Sequence, residues 1–285
     1  MSYRHLRFPG GKPRAVTFSY DDGVKADIKL ASIINKYGIK CTFNHNNFKR
    51  LAKEEVIESI ISYGHEIAVH GADHKAEGIV RPIDMIKDVL SCREFLESEF
   101  NMIIRGMAYP DSGIRVLMPG NTYEDIKSRL IDLDIAYART LGEDNNSFRL
   151  PSDFYAWAPT AHHNNPKIFE YIEEFLSADY SDKVYSSKRY PRLFYVWGHS
   201  YEFDRDDNWE LLEEICRKIS GKPDIWYATN IEIYNYVKAF NSLEYSADGR
   251  IIHNPTFYAV WFEDEDGKLR SVNPGETIQR VPTQR

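Results

Sequence analysis

The chain has 285 residues, a formal net charge of −7 and 42% hydrophobic residues. This length suits a single large core, and the acidic balance, without a basic run, argues against nucleic acid as a partner. No apolar run approaches the ~20 residues needed to cross a bilayer, which argues against a membrane partner.

The start of the chain and its cysteines bear on the cellular compartment. The first seven residues contain no apolar stretch of the signal-peptide type. Cys41, Cys92 and Cys216 are odd in number and lack metal or redox spacing, which favours three buried thiols in a reducing compartment. We therefore expect a cytoplasmic protein. A secreted chain trimmed of its signal would have the same pattern.

Strand-like and helix-like segments alternate along the first 240 residues, which predicts a mostly parallel sheet with crossover helices. The predicted strands are residues 14–20, 41–44, 64–69, 102–108, 135–139, 193–197 and 226–227. The predicted helices are residues 25–36, 54–62, 82–100, 123–130, 166–176, 208–219 and 231–240.

Beyond residue 242 the pattern changes to short segments typical of antiparallel strands. Residues 256–262 and 269–272 flank an Asp-Gly turn, which is a hairpin signal, and residues 243–245 and 250–253 are further strand candidates. We expect a main domain at residues 1–242 and a small β-hairpin appendage at 243–285 packed on it. The appendage would cover the main domain or pair two subunits of a homodimer, and carbohydrate binding is the alternative.

Two adjacent acids, Asp21 and Asp22, follow the first predicted strand and precede Gly23. Successive strand side chains point to opposite faces, so these two carboxylates cannot do the same job. One can bind a metal while the other faces the adjacent cavity. Ordinary turn chemistry is the alternative interpretation of an Asp-Asp-Gly sequence.

Two histidines, His70 and His74, follow the predicted strand at residues 64–69. If the chain continues as a helix there, side chains at i and i+4 share one face and can bind one ion. With Asp22 they form a set of two imidazoles and one carboxylate, which leaves open positions for water and substrate. The combination favours metal-dependent catalysis over a surface or core histidine pair.

The order of these motifs resembles the polysaccharide deacetylase family, the carbohydrate esterases of family 4 that carry a NodB homology domain. Five motifs of that family match residues 17–23, 70–74, 105–113, 153–157 and 193–199, the third and fourth only loosely. The resemblance implies an α/β fold, namely an irregular (β/α) barrel of the NodB/polysaccharide deacetylase type with a small C-terminal antiparallel β appendage. Its site would lie at the carboxyl ends of the strands.

The same resemblance implies a metal-dependent hydrolase that removes an N- or O-acetyl group from a saccharide. Asp22, His70 and His74 would bind a divalent metal, most often zinc, with Co²⁺, Ni²⁺ and Fe²⁺ as alternatives. Asp21 would be the base that takes a proton from a water at the metal. His199 would be the acid that protonates the leaving group.

Other site residues are implied less directly. Arg105 could pair with Asp21 and keep it ionised, or it could lie at the surface. The backbone amide of Asp111 could stabilise an oxyanion, although the family more often has an aromatic residue there. Trp157 is either a wall of the acetyl pocket or a core residue. The remaining candidates are Tyr109, Trp197 and His163 for substrate binding, and Glu202 and Asp204 as carboxylates that orient His199.

Three other functions stay open at this point. The chain could hydrolyse another non-peptide C–N bond, such as that of a cyclic amide, or it could be an inactive carbohydrate-binding relative. A non-haem iron oxygenase uses the same two-histidine, one-carboxylate ligands, but that class more often has His-x-Asp spacing and no additional acid beside its ligand. A comparison of acetylated sugars with cyclic amides as substrates separates the hydrolases.

Overall fold

A computed structural model describes residues 4–141, 148–180 and 189–279. The strands in these ranges are β1 (His5–Arg7), β2 (Arg14–Asp21), β3 (Cys41–His45), β4 (Glu66–Val69), β5 (Gly106–Ala108), β6 (Tyr137–Arg139), β7 (Ala161–His162), β8 (Arg192–Gly198), β9 (Ile225–Tyr227), β10 (Glu244–Tyr245), β11 (Ile251–His253), β12 (Val260–Glu263), β13 (Leu269–Val272) and β14 (Thr277–Gln279). The helices are α1 (Ala26–Lys36), α2 (Lys53–Ser59), α3 (Pro82–Phe100), α4 (Tyr123–Asp132), α5 (Ile168–Leu176), α6 (Tyr201–Arg205), α7 (Trp209–Ile219) and α8 (Asn230–Asn241).

Eight parallel strands form one curled sheet in the order β6-β5-β4-β3-β2-β8-β7, and β9 pairs with the first half of β2. All eight residues of β2 are buried, as expected for a central strand covered on both faces. Helices surround the sheet, and its apolar side chains meet theirs in one large core cluster. The predicted irregular (β/α) barrel is therefore confirmed.

The register of the central strands decides which residues meet at the carboxyl edge of the sheet. Asp21 lies opposite Asn44 of β3, and Tyr20 lies opposite Gly198 of β8. Residues that directly follow β4 and β8, which are His70 and His199, therefore lie close to the end of β2. Asp21, His70 and His199 therefore lie together at this edge.

The predicted helices agree with the structure to within a few residues, and several short elements were missed. Helix α3 begins at Pro82, as predicted, and ends at Phe100, after which Asn101 adopts the left-handed conformation. The strand predicted at residues 102–108 contains only Gly106–Ala108. The missed elements are β1, β7, β14 and α6, of two to five residues each, too short to give a periodic pattern.

Beyond α8 the strands are antiparallel, as predicted, but they form two sheets rather than a single hairpin. One sheet has the order β10-β11-β14. The other has the order β1-β12-β13, so a strand from the start of the chain pairs with one near its end. The hairpin strand predicted at residues 256–262 begins only at Val260. The division of the chain at residue 243 stays a prediction.

Buried polar contacts join these sheets to the rest of the chain. The Tyr236 hydroxyl of α8 donates to the Arg7 carbonyl at 2.8 Å and accepts from the Trp261 amide at 2.9 Å. The Glu263 carboxylate accepts hydrogen bonds from Arg7 Nη2 at 2.7 Å and from Arg189 Nε at 2.8 Å. These contacts make the packing between β1, α8 and β12 specific.

Two further sequence-based expectations concern thiols and membranes. Cys41, Cys92 and Cys216 are buried and free, as predicted. None of the helices within the described ranges is both long and apolar enough to span a membrane.

Candidate active site

The ligand candidates Asp22, His70 and His74 come together at the carboxyl edge of the sheet. Asp22 Oδ1 lies 3.9 Å from His70 Nε2 and 3.6 Å from His74 Nε2. One ligand atom from each residue lies within 4.8 Å of the others. The helix considered as one possibility between the histidines is not formed, because the chain after β4 is a loop with His74 in the left-handed conformation (φ 57°). This loop conformation still directs both rings to Asp22.

The donor set fits a divalent cation. Ligand atoms about 2.0–2.1 Å from a tetrahedral metal lie about 3.3–3.5 Å apart, so small movements suffice to close the set. His70 Nδ1 lies 2.9 Å from the Ala108 carbonyl oxygen, to which it can only donate, and Nε2 therefore presents its lone pair to the cluster. Burial lowers the pKa of His70, with Asp21 opposing that effect, so the ring is neutral as metal binding requires.

Asp21 is buried beside this cluster and is held by two donors. Its Oδ1 accepts from Asn44 Nδ2 at 2.8 Å, and its Oδ2 accepts from Arg139 Nη2. Burial alone would raise the pKa of Asp21, but the charge of Arg139 and the nearby His70 and His199 rings bring it below its usual value. Asp21 is therefore an ionised carboxylate, and its Oδ2 lies 3.9 Å from His70 Nε2.

The expected pair between Arg105 and Asp21 is wrong. Arg105 precedes β5 and lies at the opposite, amino end of the sheet, where its Nη2 donates to Asp134 Oδ1 at 2.7 Å. Arg139 is the last residue of β6 and reaches Asp21 from the carboxyl end. Sequence reasoning missed it, although a charged residue at the end of a predicted strand was an available signal.

His199 follows β8 and faces two carboxylates. Its Nε2 lies 4.0 Å from Asp21 Oδ2, and its Nδ1 lies 3.6 Å from Glu202 Oε2. Burial would lower the pKa of His199, but Glu202 and then Asp21 raise it above its usual value. A larger fraction of the ring is therefore protonated at neutral pH than in an unperturbed histidine. The proposed orienting role of Glu202 is consistent with this geometry, whereas Asp204 binds Trp209 Nε1 at 2.8 Å instead.

His162 is a second partner of Glu202, with Nε2 at 3.0 Å from Oε2. Because His162 Nδ1 accepts the Asn164 N–H at 3.1 Å, the proton of the neutral ring is on Nε2 and is donated to Glu202. The Glu202 pKa is lowered by His162 and His199 against the effect of burial. His162, His163 and Glu202 also form a candidate metal group by proximity, but this protonation state leaves His162 Nε2 without a lone pair for a metal.

Two of the predicted substrate residues are buried in the protein interior. Trp157 is 1% exposed and packs its ring against Tyr137 and Tyr195 in a core cluster, so it is not a wall of an acetyl pocket. His163 is fully buried and stacks on Phe203 with ring centroids 4.2 Å apart. Its neighbour His162 is partly exposed, and both rings face Glu202 Oε2, with His162 Nε2 at 3.0 Å and His163 Nε2 at 3.5 Å.

The other three predicted substrate residues differ in burial. Trp197 is half-buried, contacts His162 edge to face and has the Arg139 guanidinium 4.6 Å from its ring. Tyr109 is buried and donates to the Tyr155 carbonyl at 2.8 Å. Asp111 is exposed and left-handed (φ 48°). The substrate-binding roles of Trp197, Tyr109 and Asp111 stay predictions.

Comparisons with known proteins identify the family and the fold of the chain. The sequence profile described as polysaccharide deacetylase matches residues 9–152. No curated protein sequence matches the chain significantly.

Several solved structures share the fold. A Mycobacterium smegmatis protein described as a polysaccharide deacetylase has a TM-score of 0.57 and 17% identity, over 83% of this chain and 94% of that one. A Pseudomonas aeruginosa protein with the same description has a TM-score of 0.58 and 13% identity, over 81% and 93%. The PuuE allantoinase has a TM-score of 0.56 and 12% identity, over 81% and 92%. At these sequence identities, the comparison with solved structures establishes only a shared fold.

Proposed function

Because the chain belongs to the polysaccharide deacetylase family, we propose that it is a metal-dependent hydrolase that removes an N- or O-acetyl group from a saccharide. One observation carries the proposal. The ionised carboxylate of Asp21 lies between the metal-ligand candidates and His199, 3.9 Å from His70 Nε2 and 4.0 Å from His199 Nε2. A base and an acid thus face each other across one open site.

Asp22, His70 and His74 would hold the metal ion, with Zn²⁺ as the expected occupant. Such an ion, when bound, supplies Lewis-acid chemistry and lowers the pKa of a water from 15.7 towards ~7. The lone pair of His70 is already directed into the set by the Ala108 carbonyl. Asp21 is not needed as a ligand, because Arg139 and Asn44 occupy its two oxygens.

Asp21 would act as the general base that takes a proton from the attacking water. A base must be ionised before it can accept a proton, and Arg139 keeps Asp21 in that state. The bond from Asn44 and the contact with Arg139 also fix the direction of the carboxylate. This fixed orientation reduces the reorganisation that proton transfer requires.

His199 would act as the general acid that gives its Nε2 proton to the leaving nitrogen or oxygen. Glu202 faces Nδ1 and supports the charged ring, and His162 in turn donates to Glu202. A raised pKa keeps a larger fraction of His199 protonated at neutral pH. Glu202 thus has the position of an orienting carboxylate, whereas Asp153 of the fourth motif binds Lys127 and Tyr123 instead.

The proposal is tested by acetate release from N- and O-acetylated oligosaccharides with Asp21→Asn and Asp73→Asn variants. Asp73 lies between the two ligand histidines but is exposed, so its variant is a matched control for loss of a carboxylate. We expect Asp21→Asn to lose 10²-fold or more of the rate while the metal content stays unchanged, and Asp73→Asn to stay near wild type. Equal activity of Asp21→Asn and wild type would contradict the proposal.

A further inference from the structure

A small recess lies directly beside the candidate active site. It has a volume of ≈ 50 Å³ and is bounded by Gly23, which follows the ligand candidate Asp22. A space of this size holds a few waters or one small polar group. Its position next to Asp22 makes it part of the surface that a substrate larger than one sugar unit would contact.

Two buried polar side chains line the recess with unpaired nitrogen atoms. His45 and Asn46 are each 6% exposed. Asn46 Oδ1 accepts the Phe48 N–H at 3.1 Å, while its Nδ2 group has no hydrogen-bond partner in the protein. His45 Nε2 also has none, and its distance to Asp27 Oδ2 is 4.0 Å. Buried polar groups are normally paired with protein or water, so the Asn46 amide is available to a water or to a polar group of a ligand.

The rim of the recess is cationic. Lys49, Arg50 and Lys53 line it together with a single carboxylate, Glu99. Within the described parts of the chain, none of these three cations lies within 4.0 Å of a carboxylate. Three cations against one acid give a local charge of about +2 in a protein whose net charge is −7.

One of these cations links the recess to the catalytic residues. Arg50 Nη1 donates to the Asp22 carbonyl oxygen at 3.1 Å, so its guanidinium lies beside a metal-ligand candidate. The remaining N–H donors of a guanidinium form a fork that suits a carboxylate or phosphate. An anionic group held there would lie next to an acyl group at the metal site.

We propose that this recess binds an anionic group of the substrate, a carboxylate or a phosphate, and that the chain prefers acidic acetylated saccharides over neutral ones. The inference rests on the proposed function for the acetyl group, but the charge preference comes from the recess itself. Lys49, Lys53 and Arg50 supply the charge, and the side chains of His45 and Asn46 line the recess with them.

The test compares acetylated oligosaccharides of equal length that carry uronate groups, phosphate groups or no charge. Wild type is compared with Lys49→Gln/Lys53→Gln and with the control Lys238→Gln/Lys268→Gln, which removes two charges that are also exposed, on α8 and the β12–β13 turn. We expect wild type to prefer one acidic substrate, and the Lys49/Lys53 variant to lose about tenfold in kcat/KM on it, mainly through KM. Neutral substrates and the control should show less than a twofold change.

Binding is measured in parallel so that the result does not depend on turnover. Calorimetric titration uses a deacetylated uronate trisaccharide, a neutral trisaccharide and inorganic phosphate. Tighter binding of an anion that weakens in the Lys49/Lys53 variant and with added salt supports the recess even if no acetate is released, in which case only the proposed function fails. Equal binding and equal kcat/KM for charged and neutral saccharides would overturn the inference.

Discussion

The Arg139 guanidinium binds Oδ2 of Asp21 in the interior of the protein, where both side chains are at most 3% exposed. This pair joins the carboxyl ends of β6 and β2, which are four strands apart in the sheet. It keeps the proposed base ionised and directs it to the metal-ligand candidates.

Arg139→Ala should therefore impair catalysis most at low pH. Asp21 acts only when ionised, and without the nearby cation its pKa rises. The acid limb of kcat/KM should then move to higher pH, with a loss of about 10²-fold near the old limb. Arg139→Lys, which keeps the charge, should restore part of the activity. A pH–rate profile measures both, and an unmoved acid limb in Arg139→Ala would contradict the role assigned to this pair.

Glu202→Gln should shift the alkaline limb of the pH profile of kcat/KM. His199 acts as an acid only when protonated, and Glu202 raises its pKa. Loss of that carboxylate lowers the pKa, so the alkaline limb should move to lower pH. Asp204→Asn is the control, because Asp204 lies on the same helix but contacts Trp209. If both variants shift the alkaline limb equally, Glu202 has no specific effect on His199.

His74→Ala should weaken metal binding. It removes one of three protein ligands, so the loss in affinity should exceed the roughly 10–100-fold effect of losing an outer partner of a ligand. Metal content after dialysis should fall from one ion per chain to well below one. His253→Ala removes a histidine from β11, far along the chain from the cluster, and should keep its metal. Full metal content in His74→Ala would remove that residue from the ligand set.

Glu66→Gln should change how stability depends on pH. Burial raises the pKa of Glu66 to about 7 from 4.5. The folded state then binds more protons than the unfolded state between these values, so this group's contribution to stability is fullest below pH 4.5 and is lost as pH rises to about 7. A glutamine oxygen can accept from Thr42 and Ile231 while its amide faces the Tyr137 hydroxyl. Denaturation between pH 5 and 8 should show a flatter profile for the variant, and parallel profiles would contradict the raised pKa.

Glu263→Gln should destabilise the fold without changing the metal site. The substitution leaves Arg7 and Arg189 buried without their carboxylate, which costs about 3–5 kcal/mol. Glu244→Gln, an exposed change on β10, should have an effect below about 0.5 kcal/mol. Urea unfolding measures both. A loss under 1 kcal/mol in Glu263→Gln would mean that this network contributes little to the packing of β1 and β12.

The ligand candidates and the alternation of strands and helices could be predicted because their signals are local. Asp22, His70 and His74 occur in short motifs next to clear strands, and the strands alternate with amphipathic helices. The family resemblance then supplied the barrel. The backbone conformation between the two histidines could not be predicted, because spacing alone does not distinguish a helix from a loop that directs two rings to one point.

The partners of these residues depend on tertiary structure and were not predictable in the same way. Arg105 and Arg139 both flank predicted strands, but only the direction of each strand shows that one lies at the amino end and the other at the carboxyl end. The pairing of β1 with β12 joins segments more than 250 residues apart, as in the contact of Arg7 with Glu263. His162 and His163 differ in sequence only by position, and packing on Phe203 decides which one is buried.

The most direct test of the account is acetate release by protein stripped of metal and then reconstituted with zinc or cobalt, with acetylated saccharides and small cyclic amides as substrates. We predict that the stripped protein releases no acetate and that acetate release returns once one metal ion per chain is restored. The cyclic amides should not be turned over in either form. Full binding of one metal ion at Asp22, His70 and His74 without any acetate release would contradict it.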